Sequence, residues 1–358
     1  MRGFGRLGRE TSFDMITVYS DAHRRHAPET IAIRGMIVGN LELPARADAL
    51  VQAARQAGCD IRPPDAHDDA PLLAVHSQDY IDFLASAYDR WKEAFGEDRA
   101  GPYACAHASP TRYPARVPAS IQAQVGYYLS GGSAPIDKGT WVAARDAAHC
   151  ALTAAEHVLD GAGEAYAICR PPGHHAYADL AGGFCYLNNS AIAAQAMAAR
   201  EGRTAILDID VHHGNGTQDI FYDRGDVFFA SIHADPNEVF PFYVGYADET
   251  GEGEGEGANL NLPLPRRSGD DVFLDALDTA LAGIADFAPP SLVLSLGFDA
   301  YENDPQQEMA VSTEGFREAA RRIAALRLPT AIIQEGGYCV DDLGKNLTAF
   351  LEGFDKGR

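Results

Sequence analysis

The segment Ala205-Ile206-Leu207-Asp208-Ile209-Asp210-Val211-His212-His213-Gly214 constrains the chain most. Ala205 to Leu207 and Ile209 form the short aliphatic run of a strand covered on both faces, and such strands belong to parallel sheets. Asp208 and Asp210 bring carboxylates to the point where that strand should end. Burying two carboxylates costs heavily unless a cation or hydrogen-bond donors answer them. Side chains alternate along a strand, so Asp208, Asp210 and His212 are expected on one side, aimed at a common point. A metal site fed by a buried strand is the direct reading, and a structural carboxylate network is the alternative.

The rest of the chain repeats strand, loop and helix around this segment. Strands are expected at 16–20, 165–169, 204–209, 227–232, 292–296 and 330–334. Helices are expected at 45–57, 77–94 with a Ser77 cap, 140–159, and near 188–200, 270–287, 314–326 and 341–354. That alternation specifies an α/β fold, a mostly parallel β-sheet sandwiched between helices. Four strands run straight into polar motifs: Arg170-Pro171-Pro172-Gly173-His174-His175, Asp208 to His213, Gly297-Phe298-Asp299 and Glu335-Gly336-Gly337-Tyr338. Ligands of open α/β sheets gather beyond the carboxyl ends of the strands, so the four motifs should share one rim.

Composition narrows the setting. A length of 358 residues with 46% hydrophobic and 22% charged residues supports a large core, read as a single domain over 15–356, and excludes disorder. No apolar run approaches the roughly 20 residues of a membrane span. There is no signal-peptide core either, so no membrane partner and a cytoplasmic location are expected. Residues 1–14 form a basic extension, which leaves Met15 as a candidate start. The six cysteines are scattered without a C-x-x-C pair, as reduced thiols would be. A net charge of −22 argues against nucleic acid as a partner and would concentrate small cations. The tract 252–257 (EGEGEG) is a weak phosphate-loop candidate, since no helix pattern follows it. Residues 95–118 mix Pro, Arg and aromatics without a repeat, as an insertion loop at an interface would.

Asp210, His212 and Asp299 would leave a four-coordinate metal with one open position, the arrangement of a catalytic site. Zinc suits these donors; iron(II), cobalt and manganese accept them too, and spacing does not choose. His174 and His175 lie in a Pro/Gly loop with no amphipathic face to explain them as core. An imidazole there can move a proton, with Asp208 orienting one ring and Asn215 its neighbour. Tyr338 follows two glycines and could donate to an oxyanion. Metal, water, base and oxyanion donor together specify hydrolysis of a carbonyl compound, with an amide as the target.

The motifs Cys169 to Ala176, Gly182 to Asn189, Asp208 to Gly216, Ser295 to Asp299 and Glu335 to Tyr338 together resemble the histone-deacetylase superfamily. The similarity is greatest to its bacterial acetylpolyamine amidohydrolases and runs from about Tyr19 to Phe354. The resemblance implies an arginase/deacetylase-type fold with one zinc per subunit on Asp210, His212 and Asp299. It implies His175 as general base and acid, His174 with Asp208 as an electrostatic partner, and Tyr338 on the carbonyl oxygen. Phe184, Phe240 and Gln306 would line a substrate tunnel. Structural potassium would take Asp208, Asp210, His212, Ser231 and Ile232, with a second site near Phe221, Arg224 and Val227. The implied substrate is a small cationic acetylated amine, and the implied assembly a homodimer through 95–118. Ile31, Gln122 and Gln306 stand where carboxylates for a distal ammonium would be expected, which keeps a lysine deacetylase open as the alternative. A non-catalytic metal-binding protein is the other class to separate. Gly214 and Tyr301 replace the further aspartates of a binuclear ureohydrolase.

Overall fold

The computed structural model describes residues 15–97, 101–102 and 116–358. The extension 1–14 and most of the loop 95–118, with the dimer interface expected there, lie outside the described residues. The described strands are β1 (Ile16–Val18), β2 (Thr30–Ile33), β3 (Met36–Gly39), β4 (Asp60–Arg62), β5 (Glu164–Ala167), β6 (Thr204–Asp208), β7 (Val227–Ala234), β8 (Asn259–Leu264), β9 (Leu292–Leu296) and β10 (Thr330–Gln334). Eight of them form one sheet in the order β4-β1-β5-β10-β9-β6-β7-β8, and β2 pairs only with β3. Every pairing in the large sheet is parallel.

Helices cover both faces, which is why the sheet strands are apolar on both sides. Toward one face point Ala205, Leu207, Leu294 and Ile332, packed with residues of α1 (Pro44–Gln56), α8 (Asp270–Phe287), α9 (Thr313–Ala324) and α10 (Val340–Gly357). Toward the other point Ile206, Val293, Ala331 and Ile333, packed with α3 (Gln78–Phe95), α4 (Ile121–Tyr128), α5 (Thr140–Leu159) and α6 (Asn189–Glu201). The buried alanines of α5, among them Ala147, Ala151 and Ala154, let it lie close against Ala191 and Ala194 of α6. Two short helices, α2 (Ala70–Leu73) and α7 (Asn215–Phe221), complete the set.

Several elements escape the sequence pattern for local reasons. β4 is a three-residue edge strand carrying the Asp60–Arg62 ion pair, a charged edge that resists further pairing. β8 contains Pro263, which an edge strand tolerates because one side of its backbone needs no partner. The β2–β3 hairpin turns through Arg34 and Gly35, both at positive φ, where a two-residue turn matches strand twist. Residues 252–257 make one turn, Gly253–Gly255, that leads into β8 and not into a helix, so they are no phosphate loop. Ser77 holds the cap position of α3 without its hydroxyl bonding the helix.

The site follows from strand order. β5, β10, β9 and β6 are the four adjacent central strands, and in a parallel sheet their carboxyl ends share one edge. The motifs at 170–175, 335–338, 297–299 and 208–213 leave from those four ends.

Candidate active site and metal centre

The strand β6 stops at Asp208, so Asp210 and His212 do not reach the site by strand alternation as the sequence pattern suggests. They are turned inward by two successive side-chain bonds: Asp210 N–H donates to Asp208 Oδ1 (3.1 Å) and His212 N–H donates to Asp210 Oδ1 (2.9 Å). Asp299 enters from the loop after β9, where its Oδ1 accepts from Val211 N–H (3.0 Å). His212 Nδ1 then lies 3.2 Å from both Asp210 Oδ1 and Asp299 Oδ2. Possible ligand atoms of Asp210, His212 and Asp299 all fall within 4.8 Å of one another.

These residues fit a metal ion. Asp299 Oδ2 is buried and, beyond its 3.2 Å approach to His212 Nδ1, has no well-formed hydrogen bond, an expensive state for a carboxylate oxygen unless a cation meets it. Gly297 and Gly336 pack so closely on Asp210 that any Cβ would collide with its carboxylate, which keeps the cradle narrow. Gly336 N–H also donates to Asp210 Oδ2 (2.8 Å). A second cluster, His174, Cys185 and Glu335, suits a metal poorly. Both Glu335 oxygens are already occupied by Gly173 N–H, His174 N–H and the Ser190 hydroxyl. Burial also pushes the Cys185 thiol well above its ordinary value, away from the thiolate that binds metal.

The His174 and His175 rings lie 4.0 Å apart between centroids, tilted by 41°, yet differ in charge tendency. His174 Nδ1 meets Asp208 Oδ2 at 2.9 Å; burial opposes its charge, but Asp210 and Asp208 outweigh that and raise it to about 10. His175 Nδ1 meets only the neutral Asn215 Oδ1, at 2.6 Å. Burial, His174 and His212 together hold His175 well below the ordinary imidazole value. The surroundings thus favour the imidazolium at His174 and the free base at His175.

Tyr338 is 8% exposed, on the far side of Gly337, which sits at φ +118°. Asp304 Oδ2 accepts from its backbone N–H (2.7 Å). Phe184 packs on Tyr338 at 5.6 Å, and Phe240 packs edge-on to His175 at 4.8 Å, so both aromatics adjoin the site. Gln306 is tied to the site through its backbone, whose N–H donates to Asp304 Oδ1 (3.0 Å). Of the residues read as potassium ligands, Asp208 pairs with Ser231 across β6 and β7, and Ile232 follows on β7. Gly214 lies so near Asp208 Oδ2 and Phe229 that a side chain has no room, and buried Tyr301 donates to Asp342 Oδ2 (3.1 Å). Gly214 therefore has no space for a second metal's aspartate, and Tyr301 offers a phenol already bonded elsewhere and no carboxylate.

Sequence reasoning missed the support beneath the site. Arg46, 1% exposed, donates to Gly337 O (2.5 Å), Glu335 O (2.6 Å) and Glu42 Oε1 (2.7 Å), and its guanidinium lies 4.8 Å from the Tyr338 ring centroid. Arg170 Nε is 2.8 Å from the same Glu42 oxygen. Burial opposes the Glu42 charge, yet Arg170 and Arg46 hold its carboxyl below the usual range. In the sequence Arg46 is one polar position in an amphipathic helix, and nothing local marks partners about 290 residues away.

The histone deacetylase domain, as a family profile, matches residues 40–354. An acetylpolyamine amidohydrolase from Burkholderia pseudomallei is 46% identical over 343 residues, covering 95% of this chain and 98% of that one. The acetylpolyamine amidohydrolase of Mycoplana ramosa is 40% identical, covering 95% and 99%. A crystal structure of acetylpolyamine aminohydrolase from Burkholderia pseudomallei superposes with a TM-score of 0.90 at 46% identity, over 96% of this chain and 100% of that one. The HD domain of HDA15 gives 0.77 at 26% identity, over 96% and 88%.

Proposed function

The chain belongs to the histone deacetylase family, a hydrolytic deacetylase in kind, and from that premise we propose that it is a zinc-dependent amidohydrolase of small acetylated amines. It would release acetate and the free amine. Asp210, His212 and Asp299 would hold the zinc, which when bound would supply Lewis acidity toward water and the acetyl carbonyl. His175, the uncharged ring, takes the proton of the attacking water and later gives it to the leaving amine. His174 stays protonated against Asp208 and Asp210 and offsets the negative charge that develops beside it. The Tyr338 phenol, kept protonated by burial, donates to the carbonyl oxygen as it becomes an oxyanion. The observation that carries this reading is the buried convergence of Asp210, His212 and Asp299, with no well-formed hydrogen bond at Asp299 Oδ2, beside His174 and His175.

Relatives named for acetylpolyamine hydrolysis and a net charge of −22 support a small cationic substrate. Selectivity among such amines should be weak. Ile31 is buried on β2, Gln122 is exposed on α4, and neither they nor Gln306 can pair with a distal ammonium. Each missing charge-assisted contact forgoes about 1.5–3 kcal/mol. The test compares kcat/KM for acetylputrescine, acetylcadaverine, acetylspermidine and an acetyl-lysine peptide, with and without a chelator. Small amines should be preferred, with turnover lost on chelation and restored by zinc. A peptide ahead by tenfold or more would make the protein a lysine deacetylase, and no metal-dependent turnover on any substrate would sink the enzyme assignment.

A further inference from the structure

His175 can serve as a base only in one of its two neutral forms. The proton must sit on Nδ1, so that Nε2 keeps a lone pair for the incoming water. Its Nδ1 faces Asn215, and an asparagine side chain is nearly the same shape either way round. With Oδ1 toward the ring it selects the working tautomer; with its NH2 group there it selects the idle one. Something beyond Asn215 must decide between the two.

On its other side Asn215 meets Tyr177, with Nδ2 donating to the phenol oxygen at 3.0 Å. A phenol can donate as well as accept, so contact alone would not choose. The surroundings do. Tyr177 and Asn215 line a cavity of about 260 Å³ together with Asp219 and Glu249. Glu249 Oε2 is itself held by Gln218, Gly245 N–H and Asn261, so Asp219 and Glu249 act on the phenol by charge, favouring a proton turned outward and a lone pair left for Asn215 Nδ2. The same carboxylates attract the positive NH2 end of the amide and repel its oxygen. Both influences turn Asn215 Oδ1 toward His175.

We propose that Tyr177 is a positioning residue for the hydrolysis: its hydroxyl, set in this acidic cavity, holds the Asn215 amide in the one orientation that gives His175 its working tautomer. The proposal rests on the deacetylase reading, in which His175 is the base. Tyr177 touches neither the metal ligands nor the tunnel phenylalanines through any hydrogen bond or ring contact among the described residues, so its loss should leave substrate binding alone.

The experiment is a pair of substitutions on the zinc-loaded protein. Tyr177→Phe should lower kcat roughly three- to tenfold, the worth of one net hydrogen bond, with KM and zinc content unchanged. Asn215→Asp removes the choice, because both carboxylate oxygens accept from Nδ1–H. In that background Tyr177→Phe should cost less than about twofold, since no amide remains to be turned. Long-range nitrogen–proton correlation spectra of the histidine rings give an independent readout. His175 should carry its proton on Nδ1 in the natural protein and become a mixture in Tyr177→Phe. An equal loss in both backgrounds, no loss in either, or an unchanged tautomer would overturn the proposal. If the natural protein turned over no acetylated amine, the deacetylase reading would fail, while the spectra would still decide the role of Tyr177.

Discussion

Two histidines adjacent in sequence, His174 and His175, share one loop and are both buried, so their opposite charge tendencies come from their neighbours: Asp210 and Asp208 favour the charge on His174, while His174 and His212 oppose it on His175. A carboxylate in a water-poor setting stabilises the imidazolium by several times what it would in solvent, whereas an amide oxygen orients the ring without charging it. Tyr338 completes the set, and its hydroxyl makes no hydrogen bond to another side chain among the described residues, which leaves it available for an oxyanion. Tyr338→Phe should therefore lower kcat on an unactivated acetyl amide by about 10²–10³, the usual worth of one oxyanion donor. Its ring still fills the space between Phe184 and Arg46, and no metal ligand is touched, so zinc content by atomic absorption should match the natural protein. Near-normal turnover would remove Tyr338 from the chemistry.

The loops after the central strands act as elements by packing backbone on carboxylate. Gly336 illustrates the tolerance. Its backbone is in a region open to any residue, yet an added methyl would run into both Asp210 Oδ2 and Asp299 Oδ2. Gly336→Ala should thus fold normally and bind metal poorly. A loss of about 10- to 100-fold in zinc affinity is expected, the scale seen when support around ligands is disturbed. Chelator competition measures it, with circular dichroism as the control for folding. Unchanged affinity would mean that the loops are slack. Arg46 works at this scale too, since it ties α1 to the carbonyls of Glu335 and Gly337 and so holds the loop that carries Tyr338. With Glu42 and Arg170 it forms a buried charged trio, an arrangement that sets position more than it adds net stability.

For the whole molecule the relevant buried titrating groups include His76 and His23, both lowered to about 4. Burial is the main cause for each, and Arg170 adds to it for His23. His76 shows why it stays neutral: Nδ1 donates to Tyr177 O (3.0 Å) while Nε2 accepts from Asn188 N–H (3.0 Å), an acceptor role that a proton would abolish. Above about pH 6.5 the ring is neutral folded or unfolded and contributes no pH dependence. Between about 6.5 and 4 the unfolded chain binds a proton that the folded chain refuses, so stability falls with pH, and below about 4 the loss is complete. For fully buried His76 the change is on the order of 3 kcal/mol. Urea midpoints measured across that range should drop as the solution is acidified, and His76→Gln should flatten the slope. Equal slopes would assign the acid sensitivity elsewhere.

What the sequence by itself determined is the periodic part. Aliphatic runs such as Ala205 to Leu207 and Leu292 to Leu296 could only be strands covered twice, and the motifs beyond them had to meet at one edge of a parallel sheet. Asp208, Asp210, His212, Asp299, His174, His175, Asn215 and Tyr338 could be named because polar groups at strand ends break an apolar pattern that is otherwise continuous. The turn that brings Asp210 and His212 inward, the unequal charging of the two histidines, and the positions of Arg46, Glu42, Asp304 and Tyr177 were decided only by tertiary structure. Periodicity reports which face of an element is buried. It carries no information about which distant carbonyl a guanidinium will reach, or which end of an amide an acidic cavity will attract.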